Sequence, residues 1–196
     1  MRSYILMTSS AIVLLAGQFR GQQNPPANHK VLTPEQQGYQ QQYQSWFARH
    51  QQLQAQAKDI FDQEMAREKA GDCSKASSNH EFTVCFGKLA DSVEETLKSY
   101  EATIRELLVS PPQMSGAPAQ PRPGPGGPGL TSTQFIAEFD SVEDPWRQYR
   151  EMACTAAFHQ FDGGTGGPSF QLECELRLTR DHMRELDVIY GNILHL

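Results

Sequence analysis

The sequence predicts an all-α protein in which helical hairpins form a bundle-like arrangement of four helices, stabilised by disulfide bonds. Apolar residues recur at steps of three and four through four long segments, which is the spacing of a buried stripe on a helix. No alternating apolar run is long enough to predict a sheet. Four cysteines and a Pro/Gly-rich stretch between the second and third segments complete the pattern.

The composition limits the class of protein. The chain has 196 residues, of which 38% are hydrophobic, and a formal net charge of −6. This apolar content argues against a membrane-embedded protein. Phosphate binding needs clustered Lys and Arg, so an acidic chain without a basic run is not expected to bind nucleic acid. A basic protein is the better electrostatic partner.

The first 17 residues predict a signal peptide. Arg2 precedes an apolar run over 4–16 that is too short to span a bilayer as a helix. Gln18 stands where a lipoprotein would carry its acylated cysteine, so no lipid anchor is expected there. Residues 18–32 are predicted to be a flexible tail. The sequence therefore predicts a periplasmic or secreted protein, with an uncleaved N-terminal anchor as the alternative.

Export places the cysteines in an oxidising compartment, where an even number indicates disulfides. Four cysteines allow three pairings, and the short intervening segments favour Cys73–Cys85 and Cys154–Cys174. In the chain-entropy model each closure stabilises the fold by roughly 3 kcal/mol. The spacings lack the close Cys pair of zinc sites, so neither a metal site nor a thiol nucleophile is expected.

Residues 33–109 are predicted to form a long helical hairpin. Residues 33–36 combine an N-cap Thr, a Pro at the first helical position and a capping-box Gln, and Gly71 ends the helix after Ala70. The Gln-rich side of this helix is expected to be solvated, with a prion-like or coiled-coil interaction as the alternative. A second helix is expected over 78–109. The stripe predicted for the first helix is Tyr39, Tyr43, Trp46/Phe47, His50, Leu53, Ala57, Ile60/Phe61 and Met65.

Residues 110–130 are predicted to be a disordered linker, because positions 111–129 contain seven Pro and five Gly. A second hairpin is predicted over 131–196, with a Gly-rich turn at 162–169. Pro145 is expected either to split the third helix or to kink it. The stripe predicted for this helix is Phe135, Phe139, Val142, Trp146, Tyr149 and Ala153.

No motif predicts catalysis, cofactor binding or a metal site. The six histidines are scattered, and Asp140, Glu143 and Asp144 are interpreted as a solvated stretch. A surface for a protein partner is the more promising feature, because Arg, Trp and Tyr are enriched at binding hot spots. The candidate residues are Trp146, Arg147, Tyr149 and Arg150, although Trp146 is expected to be largely structural. The alternative is that the arginines of the second hairpin pair within it, with Glu151, Glu173 and Asp181.

The motif Trp146-x-x-Tyr149-Arg150-x-x-x-Cys154, the Gly-rich turn and Cys174-x-x-x-Leu178-Thr179-Arg180 resemble the LprI-type family, which comprises exported bacterial domains similar to a lysozyme inhibitor. The resemblance implies an α-helical, disulfide-bonded, non-enzymatic domain of the envelope. Departures from the family pattern include Pro145, the Gln-rich first helix, the Pro/Gly linker and His182 at a position where Arg is common.

Two functions follow as hypotheses. In the first, the protein binds and blocks a basic muramidase, and a Gly-rich loop of Gly163, Gly164, Thr165 and Gly166 enters the polysaccharide cleft. This loop could instead merely turn the chain between two helices. In the second, the protein is a structural or assembly component of the envelope that interacts through its Gln-rich helix.

Overall fold

The computed structural model describes residues 32–112 and 130–195, and these residues form helices joined by short connections. No strand occurs within these two ranges, so the prediction of an all-α fold is confirmed. The predicted signal peptide, almost all of the predicted tail and most of the predicted linker lie outside them. The helices are α1 Pro34–Ala70, α2 Asn79–Leu107, α3 Ser132–His159, α4 Gly167–Ile189 and the short α5 Gly191–Leu194.

Local sequence signals set the helix ends. The Thr33 hydroxyl accepts a hydrogen bond from the Gln36 backbone N–H, and the Gln36 side chain completes the capping box. Gly71 ends α1 with a φ of 88°, a left-handed conformation that favours glycine. Ser78 caps α2 in the same manner as Thr33 caps α1, by accepting from the Glu81 N–H. The boundaries predicted for α1 are therefore confirmed.

The fourth helix is the centre of the bundle. It packs against α2 and α3, while α1 packs mainly on α2. Burial of large apolar side chains on α2, α3 and α4 drives this arrangement, because each fully buried side chain contributes about 1.5–3 kcal/mol. The main core includes Leu97, Tyr100, Ile104, Leu107, Phe139, Met183 and Leu186.

Both disulfides have the predicted pairing. Cys73–Cys85 links the α1–α2 connection to α2 with a Cα–Cα distance of 5.9 Å, and Cys154–Cys174 links α3 to α4 at 5.4 Å. A smaller core of Phe86, Val93 and Leu176 packs with Cys73 at this end of the bundle. The cross-links thus reinforce the end where the apolar core is small.

The predicted stripe of α1 is only partly buried. Tyr43 and Phe47 are 40% and 41% exposed, and none of the α1 residues before His50 is fully buried. The reason is that α2 ends at Leu107, and the Trp46 indole N–H donates to the Val109 carbonyl at 3.3 Å just beyond that end. The first turns of α1 therefore extend past α2.

The third helix differs from its prediction in two ways. It continues through Pro145, so the split, one of the two alternatives expected at this residue, is wrong. Proline removes one backbone donor, but α3 is helical from Ser132 to His159 and packs along α4. The predicted stripe is also wrong at Val142 and Tyr149, which are 55% and 56% exposed. Because α3 lies at the edge of the bundle, only a narrow face with Phe139, Glu143 and Cys154 is buried.

The difference between the two sides of α3 can be measured. Phe139→Ala removes a completely buried ring and is expected to lower the free energy of unfolding by about 3–5 kcal/mol. Val142→Ala, less than one turn away on the exposed side, is expected to change it by less than about 0.5 kcal/mol. Chemical denaturation of both variants checks the assignment, and equal losses would contradict it.

Candidate functional site

A buried guanidinium joins α4 to the first hairpin. The Arg180 side chain is 2% exposed, and its Nε donates to Glu64 Oε1 at 2.8 Å. Its terminal nitrogens donate to both oxygens of Asp72, with Nη2 at 3.1 Å from Oδ1. Glu64 is fully buried and also contacts Arg67. Three elements of the fold therefore meet at one charged group.

The electrostatics of Arg180 follow from these contacts. Burial alone would lower the pKa of the Arg180 guanidinium, but the bonds to Asp72 and Glu64 raise it above its ordinary value. These bonds therefore favour the charged form of the guanidinium. One turn further along α4, Arg184 contacts Glu68 of α1, which adds a more exposed ion pair to the same interface.

A second buried polar cluster lies between α2, α3 and α4. Glu143 on α3 is 1% exposed, and its Oε2 lies 2.9 Å from His182 Nε2 on α4. Glu101 on α2 is 2% exposed, and its Oε2 accepts a hydrogen bond from Arg147 at 2.5 Å. Arg105 lies 3.8 Å from the same oxygen. This cluster holds the edge helix α3 against the two inner helices.

The two glutamates of this cluster differ in pKa. Burial and the neighbouring Glu143 raise the pKa of Glu101 to about 7. The positive charges of Arg147 and Arg105 lower this pKa, but their effect is smaller. Burial would also raise the pKa of Glu143, but hydrogen bonds to His182 and Glu101 lower it. Two adjacent buried carboxylates cannot both ionise freely. Glu143 therefore carries the negative charge more readily than Glu101.

Trp146 and Arg150 pack against this cluster. The Trp146 ring stacks on the His182 ring with centroids 3.8 Å apart, and the Arg150 guanidinium lies 4.9 Å from the Trp146 centroid. Arg150 also donates to Glu94 at 2.6 Å and to Thr179 at 2.8 Å. These residues hold α2, α3 and α4 together, whereas Tyr149 on the other side of α3 is exposed.

Several predicted partners differ from those observed. Arg147 and Arg150 pair with acids of α2, and Arg180 pairs with Glu64 and Asp72. Of the three acids expected as partners within the second hairpin, Asp181 forms an ion pair with Arg184, and Arg147 additionally lies 3.9 Å from Asp144. The interpretation of Glu143 as solvated is wrong, while Asp140 and Asp144 are exposed. Sequence reasoning missed Glu64 and Glu101.

A detectable signal for the buried acids does exist in the sequence. Glu101 lies between Leu97 and Ile104 at helical spacing, so it interrupts an otherwise apolar stripe. Glu143 likewise falls one turn after Phe139, and both residues are buried. An acid placed within an apolar stripe indicates a buried charge that needs a partner.

The Gly-rich loop lies after the end of α3, near the Cys154–Cys174 disulfide. Asp162 and Gly163 have positive φ values of 45° and 79°. A side chain at Gly164 would place its Cβ 2.9 Å from the Phe161 carbonyl oxygen, and one at Gly166 would lie 3.0 Å from the Phe161 ring. The glycines are therefore required by the turn itself. Thr165 accepts a hydrogen bond from Asn79 at 3.0 Å, which attaches the loop to the start of α2.

The structure does not bring the candidate partner-binding residues into one patch. Trp146, Arg147 and Arg150 contact the interior polar groups, while the positions from Gly163 to Thr165 are exposed at one end of the bundle. Ten residues of helix separate Tyr149 from the end of α3, or about 15 Å. Tyr149 and the loop are thus two separate exposed features.

The fold and these features define a small, all-helical domain with two disulfides and an ionic interior. Structural disulfides that cross-link helices are typical of proteins that function outside the cytosol. None of the helices in the described ranges is long and apolar enough to cross a membrane.

The family model described as "Lysozyme inhibitor LprI" matches residues 70–186, more than half of the chain. The protein therefore belongs to the LprI lysozyme inhibitor family, which implies a non-enzymatic, inhibitor-like function at the level of the family. Neither a curated protein nor a solved structure matches the chain. The match includes both disulfides, Arg180 and the Gly-rich loop, but it excludes Glu64 and nearly all of α1.

The role of the buried guanidinium can be tested by removing its charge. Arg180→Met leaves Glu64 without its main partner inside the bundle, and we expect a loss of about 3–5 kcal/mol in the free energy of unfolding. Arg177→Met, on an exposed position of the same helix, provides the matched control and is expected to cost less than about 0.5 kcal/mol. Similar denaturation midpoints for the two variants would be incompatible with a structural role for Arg180.

Proposed function

We propose that this protein is exported and inhibits a basic lysozyme by presenting the Gly-rich loop of residues 162–166 to the enzyme's substrate cleft. Membership of the LprI family carries the proposal, because the matched region contains this loop and both disulfides. Export by the predicted signal peptide is part of the same proposal. The protein performs no chemistry in this mechanism and acts by occupying the cleft.

The geometry of the loop supports this role. Gly163, Gly164 and Thr165 are exposed, and the Gly164 N–H donates to the Phe161 carbonyl at 2.7 Å. Below the loop, the Phe161 and Phe170 rings pack with centroids 4.4 Å apart. A loop that is ordered before binding loses less conformational entropy on association. The absence of side chains on glycine also allows close approach of the partner to the backbone.

The charge of the protein supports a basic partner. The formal charge is −6, and cleavage of the predicted leader would remove Arg2 and leave −7. Residues 131–196 contribute eleven acids and five Arg, which is a charge of −6. Electrostatic attraction of this kind accelerates association with a cationic protein and weakens with salt, since the Debye length is about 8 Å at physiological ionic strength.

An alternative function is structural, with α1 as the interacting element. The observation that favours it is the exposed aromatic set on the first turns of α1, where Tyr43 contacts Tyr39, Trp46 and Phe47. Tyr43 and Phe47 present part of their rings to solvent beside a Gln-rich surface. Under this alternative, replacing both by Ser abolishes sedimentation of the protein with purified cell walls.

Thr165→Arg tests the inhibitor proposal. The substitution places a bulky positive charge on the exposed part of the loop, and we expect at least tenfold weaker inhibition. The melting temperature should fall only slightly, because the lost Asn79 hydrogen bond is exposed. The measurement is the clearance of a cell-wall suspension by a basic lysozyme at low salt, with increasing amounts of the protein.

Two controls make the assay specific. Thr165→Ser keeps the hydroxyl group, and Thr133→Arg places the same positive charge on an exposed position at the opposite end of α3. Both are expected to inhibit as the wild type does. If the wild type inhibits and Thr165→Arg does so equally well, the loop is not the inhibitory element. If the wild type fails at every salt concentration, the inhibitor proposal itself is wrong.

A further inference from the structure

Three potential metal ligands meet inside the bundle, where α2, α3 and α4 come together. One donor atom from each of Glu101, Glu143 and His182 lies within 4.8 Å of the other two. These side chains are nearly completely buried, with residue exposures of 1–3%. A cation among them would be enclosed by protein on all sides.

The two glutamates each leave one oxygen without a donor. Oε1 of Glu101 and Oε1 of Glu143 are buried, and within the described part of the chain no donor reaches them apart from a proton shared between the two carboxyl groups. Their other oxygens are occupied, one by Arg147 at 2.5 Å and one by His182 at 2.9 Å. Arg147 and Arg105 offset the charge of Glu101 from one side, and ionising both carboxylates in a low-dielectric interior also needs a positive charge between them. A shared proton or a metal ion can supply that charge.

The surroundings of His182 favour the metal ion. Its Nε2 is directed at Glu143, and its Nδ1 lies 3.4 Å from Oε2 of Glu185, an exposed residue outside the three donors. Metal-binding histidines characteristically place a carboxylate on the outer ring nitrogen, which fixes the tautomer and the ring orientation. The stacking on Trp146 further restricts the ring.

We propose that Glu101, Glu143 and His182 form a buried site for Zn²⁺ or a similar divalent cation. Two carboxylate oxygens and one imidazole nitrogen are a ligand set that zinc accepts, with a fourth position left for water. Donors on tetrahedral zinc lie about 3.4 Å apart. The observed separations, 2.9 Å for the His182–Glu143 pair and at most 4.8 Å within the set, require only small side-chain shifts.

The spacing of these residues in the sequence does not indicate a metal site, because the three ligands come from three different helices. The sequence therefore predicted no metal centre, and the donor set becomes visible only after the helices pack. The site is independent of lysozyme inhibition, so its test and the inhibition assay can fail separately.

The first experiment measures zinc in the whole mature protein. The protein is unfolded in denaturant with a chelator while its disulfides stay oxidised, then refolded with ZnCl₂ and desalted. Refolding is used because the site is enclosed. We expect one zinc ion per chain by elemental analysis. When the free zinc concentration is a hundredfold above the Kd, we expect the melting temperature to be about 5–10 °C higher than that of protein refolded with chelator.

Two conservative variants locate the ion. Glu143→Gln preserves the side-chain shape, and His182→Phe preserves a ring that can stack on Trp146. Both are expected to lose the bound zinc and the temperature shift. Asp144→Asn and His159→Phe remove the same chemical groups from exposed positions and should bind zinc as the wild type does.

The outcomes are distinct. Wild-type protein that refolds in the presence of ZnCl₂ but retains no zinc overturns the proposal and assigns a shared proton to the two glutamates. Zinc retained equally by both site variants also overturns it, because the ion then binds elsewhere. If a variant fails to refold, visible absorption of Co²⁺ in the wild type decides the question: a tetrahedral cobalt spectrum supports the site, and its absence overturns it.

Discussion

The Arg180 guanidinium fixes how the two hairpins of this protein meet. It is buried on α4, and its charge can be balanced only when Glu64 of α1 and Asp72 of the α1–α2 connection reach it. A buried charge without a partner costs several kcal/mol, whereas an apolar contact tolerates a shift by one turn much more easily. The register of α4 against the first hairpin is therefore set by an ionic contact, and the apolar side chains pack in the register that this contact fixes.

The functional features depend on this central helix. His182 lies two residues after Arg180 and reaches Glu143, which holds the edge helix α3 in place. Cys174 lies two turns into α4, and its disulfide to Cys154 links the parts of α3 and α4 that flank the Gly-rich loop. The interior of the protein thus provides stability and the polar cluster, while the proposed inhibitory contact uses a small exposed loop that it supports.

Features with a local cause could be predicted from the sequence. Capping residues such as Thr33 and Gly71 and the helical spacing of apolar residues correctly predicted the four long helices, and short separations predicted both disulfides. Features that depend on the neighbours of a helix could not be predicted. Phe47 is half exposed because α2 ends early, and Val142 is exposed because α3 is an edge helix. The partners of Arg150 and Glu143 depend in the same way on how the hairpins pack.

A double-mutant cycle between Arg180 and Glu64 tests most directly whether this contact sets the assembly. The free energy of unfolding is measured for the wild type, Arg180→Met, Glu64→Gln and the double variant. Residues that share one buried ion pair are expected to show a coupling energy above about 1.5 kcal/mol, with the double variant losing less than the sum of the single losses. Additive losses, within about 0.5 kcal/mol, would show that the two groups act independently and would contradict the account.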